Sequence, residues 1–303
     1  MTIEFGLAPL PGPPADDLKG WLDDLETVLP TLEGHFRSLW LTDHFFSEGQ
    51  PIYEAWTTMA FLAGRFPAFE VGSMVLSQSY RNPALLALMC GTLQSLSAGR
   101  LILGLGAGWK EDEYRAYNYD YPSPGKRIEQ LEEAVEIVKM MWSEPGPLHY
   151  QGKHHQIANA IAEPRPEPVP RLVIGGGGAK TIGVAARHAD WWNISDAGFE
   201  RYRALMDVVD EACAAAERDP ASLRRTWFGR LAVGETEEEA ARLGGERWTR
   251  ENAFVGTVEQ VVESMKSFVD IGADYFMLEV QGLPDPAVVD RVIGEVLPAV
   301  RNA

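Results

Sequence analysis

The chain has 303 residues. That length suits either one α/β barrel of roughly 250 residues with an insertion or two domains of about 150. Lys and Arg number 27 against 44 Asp and Glu, a formal net charge of −17. No basic run interrupts this acidity, so nucleic acid is excluded as an expected partner, because phosphate backbones are bound by cationic surfaces that displace counterions. No stretch approaches 18 uninterrupted apolar residues, so no membrane span is expected. The opening Met1-Thr2-Ile3-Glu4-Phe5 lacks the cationic start of a signal peptide. Cys90 and Cys213 lie far apart, which is neither a disulfide framework nor a metal cluster. They fit two buried residues in a reducing cytoplasm, the expected location.

In chain order, eight strand-like apolar runs are predicted, at 3–8, 38–42, 70–76, 101–105, 171–174, 189–194, 226–233 and 274–280. The first four start at residues 3, 38, 70 and 101, a rhythm that accommodates one strand, one helix and two loops per repeat. Leu101-Ile-Leu-Gly-Leu105 lacks polar alternation, as in a parallel strand buried on both faces. Between the strands lie helical stripes. Leu131, Ala134, Val135, Val138, Met141 and Trp142 form one, and Val258, Val261, Val262, Met265, Phe268 and Val269 another. A third runs through Val288, Val289, Val292, Ile293, Val296, Leu297 and Val300. Thr236-Glu-Glu-Glu239 and Thr257-Val-Glu-Gln260 match capping boxes at helix starts. The alternation predicts an α/β fold, a (β/α)8 TIM barrel, with a doubly wound sheet as the rival. The rhythm breaks between 143 and 170, where Pro164-Arg-Pro-Glu-Pro-Val-Pro170 cannot form regular helix or central strand. This segment is expected to be a rim insertion between strands 4 and 5, with a short hairpin around 148–157. Residues 1–303 are then expected to form a single domain.

Several motifs point to chemistry. Gly104-Leu-Gly106-Ala-Gly108-Trp109 fails the dinucleotide fingerprint, which needs glycine at Trp109. Gly175-Gly176-Gly177-Gly178-Ala179-Lys180-Thr181 fails Walker A, which needs glycine at Ala179 and Ile174. Four glycines between a strand and a helix can nonetheless bring backbone amides and a helix N-terminus to a phosphate. A tight structural turn is the plainer explanation, though one or two glycines would suffice for it. Asp43-His44 closes the second strand, where barrel side chains face the active site. A histidine there can relay protons near neutral pH; a hydrogen-bonded structural histidine is the alternative. No further histidine falls at a predicted strand end, so no metal site is expected. No G-x-S-x-G marks a serine hydrolase.

The chain resembles the luciferase-like monooxygenase superfamily, especially its coenzyme F-420- and reduced-FMN-dependent oxidoreductases. The resemblance is carried, in order along the chain, by Ser38-Leu-Trp-Leu-Thr-Asp-His-Phe45, Glu54-Ala-Trp-Thr-Thr58, Tyr80-Arg-Asn-Pro-Ala-Leu-Leu86 and Leu96-Ser-Ala-Gly-Arg-Leu-Ile-Leu-Gly-Leu-Gly-Ala-Gly-Trp109. Arg127-Ile-Glu-Gln-Leu-Glu-Glu133, the glycine run from Gly175, Ala185-Ala-Arg-His-Ala-Asp190 with Asn193, and Gly256-Thr-Val-Glu-Gln260 continue it. It implies the same barrel. It implies that His44, oriented by Asp43, acts in cofactor chemistry. It implies a non-prolyl cis peptide at Met74–Val75 behind the cofactor ring, bordered by Gly106, Gly108 and Trp109. The phosphate is expected on Gly175, Gly176, Gly177 and Gly178 with Lys180, and Trp109, Glu113 and Tyr114 are expected to face substrate. Ala107 stands where bacterial luciferase has an arginine, and Trp109 where the deazaflavin sugar-phosphate dehydrogenases have a glutamate; both departures point away from those reactions.

The implied activity is hydride transfer between F-420 and a small organic substrate. Reduced-FMN monooxygenation with O2 is one alternative, and a cofactor-less binding protein on the same barrel is another. The 20 Arg to 7 Lys ratio resembles GC-rich genomes of deazaflavin producers and ranks F-420 above FMN. A homodimer is expected, as in relatives. An anionic cofactor approaching so acidic a chain needs local positive potential, for which Lys180 and Arg81 are candidates.

Overall fold

The computed structural model of the chain describes residues 2–8, 18–47 and 50–302. Eight parallel strands are its frame: β1 (Glu4–Leu7), β2 (Ser38–Leu41), β3 (Glu70–Ser73), β4 (Leu101–Gly106), β5 (Arg171–Gly175), β6 (Trp191–Ser195), β7 (Arg224–Val233) and β8 (Tyr275–Val280). Each pairs with its neighbours in sequence, and β8 pairs with β1, so the sheet closes on itself. All eight predicted runs become staves of this (β/α)8 barrel. Closure excludes the doubly wound sheet, because no strand keeps a free edge.

Two separate cores follow from strand alternation. Side chains on one face pack outward against the helices, where Leu131, Val135, Val138, Met141 and Trp142 of helix Pro124–Ser143 are buried. Those on the other face fill the barrel: Ala8, Trp40, Met74, Ile102, Val173, Trp191, Phe228, Tyr275 and Met277. The Trp40 indole spans this interior because β1 and β3 carry glycine opposite it. A Cβ at Gly6 would lie 2.2 Å from Trp40, and one at Gly72 2.5 Å. Strand-start residues seal the N-terminal end with ion pairs, Arg37 to Glu70 (2.9 Å), Arg224 to Glu4 (2.6 Å) and Arg224 to Asp274 (2.7 Å). Three arginines, with Arg171 on Glu70, face three carboxylates there, so the floor is neutral.

Local differences from the sequence expectation have physical causes. The segment after helix Pro124–Ser143 does form an antiparallel hairpin, Leu148–Gln151 with Gln156–Ala160. A second excursion was not anticipated. Helix Glu237–Gly244 and strand Phe254–Gly256 follow β7, and the strand pairs with the C-terminal end of β7 rather than with β8. The Thr257 capping box forms in full. At Thr236 only half forms: its side chain accepts from Glu239 N, while the Glu239 carboxylate turns to Glu235 N (2.8 Å). The last stripe is interrupted by a π turn, Val292–Val296, between Pro286–Arg291 and Leu297–Arg301. Pro298 has no N–H to donate into the preceding turn, and the widened turn absorbs that break.

Candidate active site

The C-terminal strand ends carry the site. The Met74–Val75 peptide is cis. Val75 projects from the end of β3 into space kept clear by glycines on the next two strands. A Cβ at Gly106 would lie 2.6 Å from the Val75 side chain, one at Gly175 2.9 Å, and one at Gly104 1.9 Å from the Ser73 carbonyl. The glycine spacing of β4 that mimics a dinucleotide fingerprint is thus explained by close backbone approach to this bulge. Gly108 has φ +78°, and a Cβ there would lie 1.8 Å from the Tyr114 hydroxyl.

His44 stands beyond the end of β2 with its side chain 26% exposed. Its Nδ1 lies 3.1 Å from both oxygens of Glu113, and no protein group pairs with its Nε2 among the described residues. Glu113 is fully buried. It also accepts from Phe45 N (3.0 Å) and Lys110 Nζ (3.0 Å). Burial alone would push its carboxyl up, but His44, Lys110 and the Phe45 amide together hold it below the ordinary carboxylate value. Aromatic rings pack around it, Phe45 against Tyr80 (4.4 Å between centroids) and Tyr80 against Tyr114 (4.9 Å). Trp109 is 70% exposed and meets His44 edge-on at 5.8 Å.

The structure arranges four of these residues differently from the sequence expectation. Glu113 and Tyr114 do not face a substrate: both are buried, Glu113 beneath His44 and Tyr114 with its hydroxyl on Ser77 Oγ (2.6 Å). Asp43 does not orient His44. It accepts from Ser77 N and takes both Arg81 guanidinium nitrogens at 2.9 Å, tying the β2 end to the loop after β3. Arg81 also bonds Glu54 (2.5 Å), so it has no charge to offer a cofactor phosphate. Chain neighbours were expected to orient the histidine; the barrel brings a residue 69 positions away instead.

At the glycine run, Gly176 has φ +137° and its N–H donates to Asn193 O (3.0 Å), while its carbonyl accepts from Trp192 Nε1 (2.9 Å). Gly176 therefore anchors the turn to β6. The amides of Gly177 and Gly178, and the first turn of helix Ala179–His188, are left to meet an anion. Gly178 caps that helix without a side-chain bond. Lys180 is exposed and borders a groove shared with Glu129, Glu132 and Arg187. A cation missed in the sequence also lies beside the run. Arg201, in the first turn of helix Phe199–Ala215, has Nη2 3.5 Å from where a Gly177 Cβ would be, and pairs with no carboxylate among the described residues.

A charged cluster at the C-terminal ends of β6, β7 and β8 was also missed. Arg230 of β7 donates to Asp196 (3.2 Å) and Glu279 (3.0 Å), with the Trp248 ring 3.7 Å from its guanidinium carbon. Burial pushes both carboxyls up, against the pull of Arg230. Strand parity was the available signal: Phe228 and Met277 line the interior, so Arg230 and Glu279, two residues on, share their inward face. The residues fit a bent tricyclic ring with a phosphate. Met74, Val75 and bare glycine backbone form an apolar surface, and Arg201 beside the glycine turn has no carboxylate partner among the described residues.

The model of the luciferase-like monooxygenase family matches residues 33–250. An F-420-dependent glucose-6-phosphate dehydrogenase of Amycolatopsis mediterranei (strain U-32) is 31% identical over 225 residues, 72% of this chain and 67% of that protein. Among solved structures, an F-420-dependent secondary alcohol dehydrogenase superposes with TM-score 0.84 at 20% identity, covering 99% of both chains. A monooxygenase from Streptomyces bottropensis superposes with TM-score 0.81 at 21% identity, covering 98% of this chain and 99% of that one. The chain belongs to the luciferase-like monooxygenase family and is an oxidoreductase.

Proposed function

We propose that the chain transfers hydride between coenzyme F-420 and a small alcohol or carbonyl compound, with His44 handling the proton. The observation that carries this reading is the tethering of His44: buried Glu113 holds Nδ1, and Nε2 is left to the mouth. The bound deazaflavin would supply the two-electron hydride chemistry. In the oxidative direction Nε2 would take the alcohol O–H proton, and in the reverse direction it would return that proton to the nascent alkoxide. Glu113 stabilises the imidazolium formed on the way. Met74, Val75 and the glycine backbone would seat the ring, and Gly177, Gly178 and Arg201 the phosphate.

Titration with F-420 and FMN tests this directly. Tight F-420 binding without FMN binding is expected. FMN binding alone would shift the reading to an O2-dependent monooxygenase, and binding of neither to a cofactor-less protein. His44→Ala should lower turnover about 100-fold or more with cofactor affinity nearly intact; unchanged turnover would remove His44 from the chemistry.

We read residues 1–303 as one barrel domain and propose a homodimer. Leu85 (54% exposed) and Leu96 (81%) leave an apolar outer face on helix Pro83–Leu96 that a second copy would cover. The two buried free cysteines fit a reducing cytoplasm.

A further inference from the structure

Building on the reading above, we infer that the substrate is uncharged: an alcohol or carbonyl compound carrying no phosphate or carboxylate, screened by the Asp196–Arg230–Glu279 wall at the C-terminal ends of β6, β7 and β8. An anionic substrate needs an uncommitted cation in the mouth, and the cations placed beside His44 and on the Arg230 wall already have partners. Arg81 is taken by Asp43 and Glu54, and Lys110 by Glu113 and the Phe46 carbonyl. Arg127, buried behind the fourth strand end, bonds the Gly108 and Pro122 carbonyls. On β7 Arg230 divides its terminal nitrogens between Asp196 and Glu279. Arg247 stacks on the same Trp248 ring (4.8 Å), so two carboxylates there match two guanidiniums. Residues 9–17 and 48–49, which follow β1 and β2 in sequence, contain no lysine or arginine. Arg201 and Lys180 adjoin the glycine run and would serve the cofactor phosphate, and Arg250 is exposed on the excursion after β7.

Arg230 is the residue that decides selectivity. A guanidinium at the end of β7 would be a ready phosphate or carboxylate clamp if it were bare. Two flanking carboxylates already take both its terminal nitrogens and would repel an incoming anion. What the wall offers instead is a stacked Trp248 face and carboxylate oxygens, which accept from a hydroxyl. With Trp109 exposed beside His44 and Met74, Phe228 and Met277 beneath, the mouth suits a neutral molecule with apolar bulk.

The test uses the cofactor-loaded full chain and inorganic phosphate, read by the absorbance of the bound cofactor. Wild-type protein should show no saturable spectral change. The double variant Asp196→Asn/Glu279→Gln, which frees Arg230, should bind phosphate at least about tenfold more tightly, the equivalent of one charge-assisted hydrogen bond. Glu279→Gln alone should show an intermediate gain and serves if the double variant does not fold. In turnover, each neutral alcohol of a panel should exceed its own phosphomonoester in kcat/KM by about tenfold or more, glucose against glucose 6-phosphate included. Saturable phosphate binding by the wild type, preference for the phosphomonoesters, or folded variants that gain nothing would each overturn the inference while leaving the cofactor reading intact. Failure of the chain to bind F-420 would instead sink that reading.

Discussion

Glu113→Gln isolates the group that holds the candidate proton carrier. The carboxylate takes three good hydrogen bonds, from His44 Nδ1 (3.1 Å), Phe45 N (3.0 Å) and Lys110 Nζ (3.0 Å). Glutamine keeps the shape but removes the acceptor's charge, weakening each bond by about 1 kcal/mol. The sum of about 3 kcal/mol falls to about 2 kcal/mol because His44 and Lys110 are partly solvated and keep some screening. Chemical denaturation at pH 7 should show that loss. The sign of its pH dependence follows from the carboxyl being held below its ordinary 4.5. Its stabilisation is complete above pH 4.5 and fades as pH falls through the lower folded value, so wild type and variant should converge in acid. An amide opposite Nδ1 also ceases to enforce the Nδ1–H tautomer, so kcat should fall about 10- to 100-fold with cofactor Kd unchanged. A variant as stable as wild type at pH 7, with the same acid limb and the same kcat, would refute the assignment. A loss of cofactor affinity instead would move Glu113 into the cofactor site.

Gly104→Ala should destabilise by about 3 kcal/mol or more, because its Cβ would sit 1.9 Å from the Ser73 carbonyl, which cannot step aside. Gly64→Ala, with nothing within 4 Å, should be neutral or stabilise helix Ala55–Arg65 by about 0.5–1 kcal/mol; equal effects in denaturation would contradict the bulge argument. Arg201→Ala should weaken cofactor binding about tenfold while kcat at saturation holds, and Lys180→Ala should do less. The reverse order in equilibrium titration would return the phosphate to Lys180. Leu85→Asp with Leu96→Lys should yield a monomer in sedimentation; a wild-type monomer would dispose of the homodimer outright.

Much of the scaffold was legible along the chain because its signals are local. Apolar runs such as Leu101-Ile-Leu-Gly-Leu105 mark strands buried on both faces, and stripes such as Leu131, Val135 and Val138 mark one helix side. Both arise from backbone periods of two and 3.6 residues, which a linear reading can count. His44 at a strand end and the glycine run belong to the same class, since barrel topology places every strand end on one face.

The chemistry of the mouth was decided only by closure of the barrel. Glu113, not adjacent Asp43, holds His44; Asp43 instead binds Arg81; and Arg230 meets carboxylates from β8 and the end of β6. The chain by itself determined which residue types stand at the strand ends. Which charges neutralise one another depends on distances of about 3 Å between side chains from different strands, and ionic partners carry no sequence period. The excess acidity of the chain therefore says little about the site, where tertiary pairing leaves Arg201 beside the glycine turn without a carboxylate partner among the described residues.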